Sequence, residues 1–122
     1  KGDILGLEVN MRPSGGISPD MMNFANDIDV YQIWANMVCY DQGYFNPEQR
    51  PYTCVYASRR RAYGYAHTHE EIFERYGYHM SLYEEMPAVL AGTMGDFAYL
   101  ARFETEEEAV EFAKYVIEKK EG

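Results

Sequence analysis

The chain has 122 residues, of which 47% are hydrophobic and 16% aromatic, enough for one packed domain and too apolar for a disordered segment. Its formal charge of -9 and pI near 4.7 argue against a general nucleic-acid binder, which needs clustered lysine and arginine against phosphate. No apolar run approaches the roughly 18–20 residues of a membrane-spanning helix, so neither nucleic acid nor membrane is an expected partner. Two cysteines are too few for a disulfide scaffold, and Cys39 and Cys54 read as buried thiols of a reduced, cytoplasmic protein. The opening Lys1-Gly2-Asp3 has no signal-peptide pattern and no initiator methionine. The expectation is a removed tag or a piece of something longer.

Residues 4–12 alternate with period two, as a strand does, with Leu5, Leu7, Val9 and Met11 on one face. Gly6, Glu8, Asn10 and Arg12 share the other face. Pro13-Ser14-Gly15-Gly16 breaks the strand, and Ser18-Pro19-Asp20 opens a short helix over about 19–25. Asn26 or Asp27 is placed to cap a second helix. Its buried stripe would be Val30, Ile33, Trp34, Met37 and Val38, with Trp34 in the core and Gly43 at the stop. Residues 44–51 read as a connecting loop.

The second half reads as a strand-helix-strand-strand-helix unit. Residues 52–58, 78–83 and 97–103 are strand candidates, and 84–96 a loop or ragged hairpin. Thr68-His69-Glu70-Glu71 is a capping box opening a helix with Ile72, Phe73 and Tyr76 on its apolar side, closed by Gly77. Thr105-Glu106-Glu107-Glu108 is another, opening a helix that buries Ala109, Phe112, Ala113, Val116 and Ile117. The class is α+β, divided at 1–50 and 51–122.

The sharpest chemical signal is on the first strand. Glu8, Asn10 and Arg12 lie about 6.6–6.8 Å apart along one face. A carboxylate and an amide carbonyl are hard oxygen ligands that suit Mg²⁺. A guanidinium two residues on offers a fork for phosphate oxygens, and Ser14, Gly15 and Gly16 let backbone amides approach an anion. The bland alternative for the three is a solvated strand face.

The run Leu7-Glu8-Val9-Asn10-Met11-Arg12-Pro13-Ser14-Gly15-Gly16 resembles the C-terminal metal-binding strand of ATP-grasp ligases, especially the carbamoyl-phosphate-synthetase-like group. The resemblance implies that Glu8 and Asn10 bind Mg²⁺ or Mn²⁺ and that Arg12 is the catalytic group holding the transferring phosphoryl or the acyl phosphate. It places the Ser14-Gly15-Gly16 loop beside the acceptor carboxylate. The fold it implies is the C-terminal part of an ATP-grasp core, a metal-site strand plus two helices, followed by the small second-half subdomain. The activity implied is ATP-dependent activation of a small-molecule carboxylate for attack by an amine or similar nucleophile. The phosphate-binding lysines, glycine-rich lid and adenine strand of that family would come from N-terminal lobes. This segment alone would then be inactive and hold neither ATP nor metal tightly. A different class, a stand-alone binding, regulatory or oligomerisation module, is the competing expectation.

Other clusters read as structural. His67, His69 and His79 with Glu70 and Glu71 lack the i, i+4 spacing of helical metal ligands and read as surface or loop-packing residues. Arg59-Arg60-Arg61 reads first as a charged turn ending a strand, with phosphate or an acidic partner as the sharper alternative. The acidic run 104–108 suits a helix N-terminus. Twelve tyrosines suggest an aromatic, adhesive surface, from which a homo-oligomer is expected.

Overall fold

The computed structural model describes residues 2, 4–8 and 12–120. Helix α1 spans Ser18–Asn26, with Pro19 in its first turn, and ends on Asp27 in the left-handed conformation (φ 53°). Helix α2 spans Val30–Tyr40, and Asp29 caps it by accepting from the Gln32 amide at 3.0 Å. Neither Asn26 nor Asp27 caps α2 as expected. Asp27 is already used to terminate α1, and the Asn26 side chain bonds back to the Met22 carbonyl at 2.9 Å. Helix α2 ends on Asp41 (φ 52°) rather than at Gly43.

The stripe on α2 is not part of the core. Trp34 is only half-buried, Met37 and Val38 are exposed, and no α2 residue is fully buried. The period-3.6 pattern forms the helix, but among the described residues nothing covers this face completely. The first strand differs similarly. Residues 4–8 are neither strand nor helix, and Ile4 (99% exposed) and Leu7 (98%) stand in solvent. A period-two pattern becomes a strand only when a neighbour supplies the ladder hydrogen bonds, and 4–8 pair with no strand of this sheet. Val9, Asn10 and Met11, the rest of that expected strand, lie outside the described residues.

The second half forms as its local signals dictate. Strand β1 is Thr53–Arg59, helix α3 His69–Tyr76, strand β2 Met80–Glu85, helix α4 Ala88–Met94, strand β3 Phe97–Phe103 and helix α5 Glu106–Ile117. Both capping boxes form: Thr68 accepts from the Glu71 amide and Thr105 from the Glu108 amide, while each glutamate returns to its threonine amide. Helix α4 corrects the loop expected over 84–96. Ala88, Leu90, Ala91 and Met94 are good helix formers, and Pro87 fixes the entry from β2. A 3₁₀ turn, Gly77–His79, joins α3 to β2.

The sheet order is β1-β3-β2, antiparallel throughout, so β3 is paired on both edges. The register slips between Met80 and Leu82, a bulge in β2. Alternation on β3 divides the molecule. Tyr99, Ala101 and Phe103 meet Ile72 and Tyr76 of α3 and Ala109, Phe112 and Val116 of α5 in the main core. Tyr76 meets Phe103 and Phe112 edge-on, at centroid distances of 6.1 and 5.1 Å. Ala98, Leu100 and Arg102 alternate to the opposite face, where Asp27 at the end of α1 reaches Arg102 at 3.5 Å. Gly95 turns the chain from α4 into β3 with φ 86°, and a Cβ there would lie 2.8 Å from Ser58 Oγ.

Because Phe112 is fully buried among aromatic neighbours, Phe112→Ala should cost about 3–5 kcal/mol by urea unfolding. Thr105→Ala should cost about 1 kcal/mol, the usual loss of an N-cap. A Phe112→Ala loss as small as the cap loss would mean that α5 is not the main cover of the sheet.

Candidate functional site

Of the sequence-derived motif, Ser14, Gly15 and Gly16 lead into the exposed N-terminal end of α1. Glu8 is exposed and outside regular structure. Asn10 lies outside the described residues. Arg12 is exposed, and its Nη1 donates to the Pro13 carbonyl at 3.2 Å. Ser14, Gly15 and Gly16 are exposed, and Gly16 has φ 65°, a left-handed turn that glycine adopts without strain. This loop runs into the first turn of α1, where Ile17 gives no side-chain cap. The amides of that turn therefore have no side-chain partner at the cap position, an arrangement that favours an anion, although Asp20 in the same turn works against it.

The metal expectation fits only in part. Among the described residues no group of three or more His, Cys, Asp or Glu side chains converges. Glu8 with Asn10 gives only two ligand side chains. Mg²⁺ accepts so few when water and substrate phosphate complete its octahedron. Each histidine has other work. His67 stacks on Tyr115 at 3.6 Å and meets Glu118 at 3.0 Å; His79 stacks on Phe103 and meets the Arg102 carbonyl at 3.3 Å. His69 Nδ1 lies 3.1 Å from the Tyr99 hydroxyl.

A second site, which the reading of the sequence missed, is built around the arginine run. Arg59 is not part of an exposed charged turn; it is 6% exposed. Its Nε donates to the Val116 carbonyl at 2.6 Å and its Nη1 to the His67 carbonyl at 2.8 Å. Val116 lies in the last turn of α5, where carbonyls lack helical partners and a cation complements the helix dipole. The third nitrogen, Nη2, is buried with no partner. Leaving such a donor unmade costs about 1–3 kcal/mol. Tyr65 covers the guanidinium at 4.6 Å and Tyr99 flanks it at 5.9 Å. Burial pulls Arg59 below the ordinary arginine range, partly offset by Tyr99, Tyr65 and Tyr115. The signal for this placement is the strand register: Thr53, Val55, Ala57 and Arg59 share one face, so Arg59 continues the core stripe.

The other two arginines are fixed differently. Arg60 donates to the Ala91 and Gly92 carbonyls at 3.3 and 3.0 Å, bonding the second half of α4. Arg61 pairs with Glu85 and lies 4.6 Å over the Phe97 ring. Arg59, Tyr65, His69, Tyr83, Phe97 and Tyr99 line a cleft of about 210 Å³ at this end of the sheet. The His69 ring lies 4.5 Å from that of Tyr83, and burial pushes the Tyr99 phenol up to about 12.

The two thiols differ from the expectation that both are buried. Cys39 is exposed and Cys54 half-buried. Burial pushes the Cys54 thiol up to about 11, slightly countered by Arg102. No family model, curated protein or solved structure matches this chain.

Two measurements follow from these environments. With an aromatic disulfide reagent at pH 8, Cys39 should react at least about tenfold faster than Cys54, since only about one Cys54 in a thousand is thiolate there. Equal rates would place Cys54 outside the apolar layer. Tyr99 gives a pH dependence of stability. Its folded value of about 12 exceeds the unfolded 10.0, so its contribution is complete below pH 10 and lost as pH rises from 10 through 12. The urea midpoint should fall over that window, and Tyr99→Phe should flatten part of the fall.

Proposed function

We propose that this chain is the C-terminal portion of an ATP- and Mg²⁺-dependent carboxylate ligase of the ATP-grasp type, working in the cytoplasm. The observation that carries the reading is the run Glu8-x-Asn10-x-Arg12-Pro13-Ser14-Gly15-Gly16, which leads directly into the uncapped first turn of α1. In this reading Glu8 and Asn10 hold Mg²⁺, which when bound neutralises charge on the phosphates. Arg12 orients the phosphoryl group or the acyl phosphate by charge-assisted hydrogen bonds. The Ser14-Gly15-Gly16 turn and the open amides of α1 receive the acceptor carboxylate.

The exposed apolar surface supports the same reading. Leu5 and Leu7 have the alternation of a strand without a sheet to join, and Ile4 beside them is also exposed. Met37, Val38, Tyr40, Tyr44 and Phe45 leave a further apolar surface in solvent on and just after α2. N-terminal ATP-grasp lobes would supply the missing strands and cover both surfaces. The 14.2 kDa chain alone would then turn over no ATP and would self-associate through these faces. A second reading, a non-catalytic binding module, is favoured by the cleft at Arg59, which lies wholly within the second half.

The test is ATP turnover in the intact ligase. Glu8→Gln and Arg12→Ala should each lower kcat about 10²–10³-fold, the usual loss when one charge-stabilising contact is removed. Undiminished turnover in both variants would overturn the site assignment and favour the binding module.

A further inference from the structure

The cleft beside Arg59 is independent of the ligase motif and carries its own chemistry. A buried guanidinium normally sits against a carboxylate, because an uncompensated interior charge is costly. Arg59 does not. Its partners are two backbone carbonyls and the faces of Tyr65 and Tyr99, and Nη2 has none. Of the nearby acidic groups, Glu85 is taken by Arg61, and Glu70 is exposed at the start of α3. The walls are aromatic: Tyr83 lies 5.0 Å from Tyr99 and stacks on Phe97 at 6.5 Å. His69 binds Tyr99 through Nδ1, and its other ring nitrogen has no partner among the described residues.

We infer that this cleft is a binding site for a small planar organic carboxylate, whose charge answers Arg59 and whose ring lies among the aromatic walls. The carboxylate supplies the acceptor that Nη2 lacks, at the arm of the guanidinium fork that the Val116 and His67 carbonyls leave open. Tyr65 lies over the guanidinium and its hydroxyl accepts from the Arg60 amide at 2.8 Å, so the ligand reaches the buried Nη2 only when this ring moves aside. The cleft, about 210 Å³, is smaller than the usual drug-sized pocket and suits a single ring. Such a site would serve as a recognition or effector pocket, since none of the motif residues Glu8, Arg12, Ser14, Gly15 and Gly16 lines it.

Benzoate is the probe, followed by NMR on the whole 122-residue chain, with benzyl alcohol and inorganic phosphate as comparisons. Benzoate should shift the Arg59 Nε–H and the Tyr65 and Tyr99 ring signals saturably, with a Kd of about 1 mM or tighter. Benzyl alcohol and phosphate should each bind at least about tenfold more weakly, since one lacks the charge and the other the ring. Arg59→Lys tests the fork. Because a buried site tolerates change poorly, Tyr83→Ala at the exposed rim provides a second variant, and it should weaken benzoate about tenfold while leaving the Phe112 and Ile72 signals in place. The proposal fails if benzoate gives no saturable shift, if its shifts map away from the cleft, or if benzyl alcohol or phosphate binds as well as benzoate. It also fails if folded Tyr83→Ala and Arg59→Lys both bind benzoate as the parent chain does.

Discussion

The guanidinium of Arg59 ties the end of β1 to two other parts of the second half. It leaves the end of β1, bonds the last turn of α5 through Val116, and fixes the approach to α3 through His67. Around it the chain after α5 returns to 64–66, where the Ala66 amide donates to the Glu118 carbonyl at 2.8 Å and the Lys120 amide to the Gly64 carbonyl at 3.2 Å. These bonds place Tyr65 over the guanidinium and His67 against Tyr115. An aliphatic side chain at position 59 would pack as well against Tyr99, but the Val116 and His67 carbonyls would lose their donors. That loss is most costly at Val116, where the hydrogen bond is buried. The arginine is therefore both a structural tie and a cation held ready without an acidic partner.

The second half was legible because its signals are local. A threonine three residues before a glutamate fixes a helix start by bonds within one turn, whatever the rest of the chain does, and both such starts formed. The strand 97–103 was readable residue for residue, since Phe, Tyr and Leu dominate it and Gly95 precedes it. Helix α4 was not legible. Seven residues with two glycine and threonine interruptions give no periodic stripe, and their helix depends on Pro87 and on Arg60 bonding the Ala91 and Gly92 carbonyls. Those bonds join residues 31 and 32 positions apart in the chain, which pattern reading does not reach.

The candidate sites divide in the same way. The Glu8-x-Asn10-x-Arg12 motif is visible in sequence because its side chains fall within a few consecutive residues. The Arg59 cleft is assembled from β1, the following loop, α3, β2 and β3, so only its first residue had a sequence signal. That signal was the strand register. Three consecutive arginines suggest a charged turn, yet alternation sends the first inward, and the next two leave the strand for separate partners. A composition-based reading averages over three residues that the fold treats individually.

The two halves also differ in how completely they satisfy themselves. From β1 to α5 the apolar faces of the sheet and helices meet, and Leu100, Phe112 and Val116 are fully buried. In the first half, α1 packs on the sheet while α2 and residues 4–8 retain exposed apolar surface. The same sequence has thus built one core to completion and left a second one half-lined. A helix that is apolar on an uncovered face gains little from its pattern unless another surface reaches it. The physical demand for that surface lies in the first half, whereas the lining of the Arg59 cleft lies wholly in the second. A catalytic contribution made by the first half would depend on association with the proposed N-terminal lobes. Ligand recognition by the second half would not, and this separation allows the two proposals to fail independently.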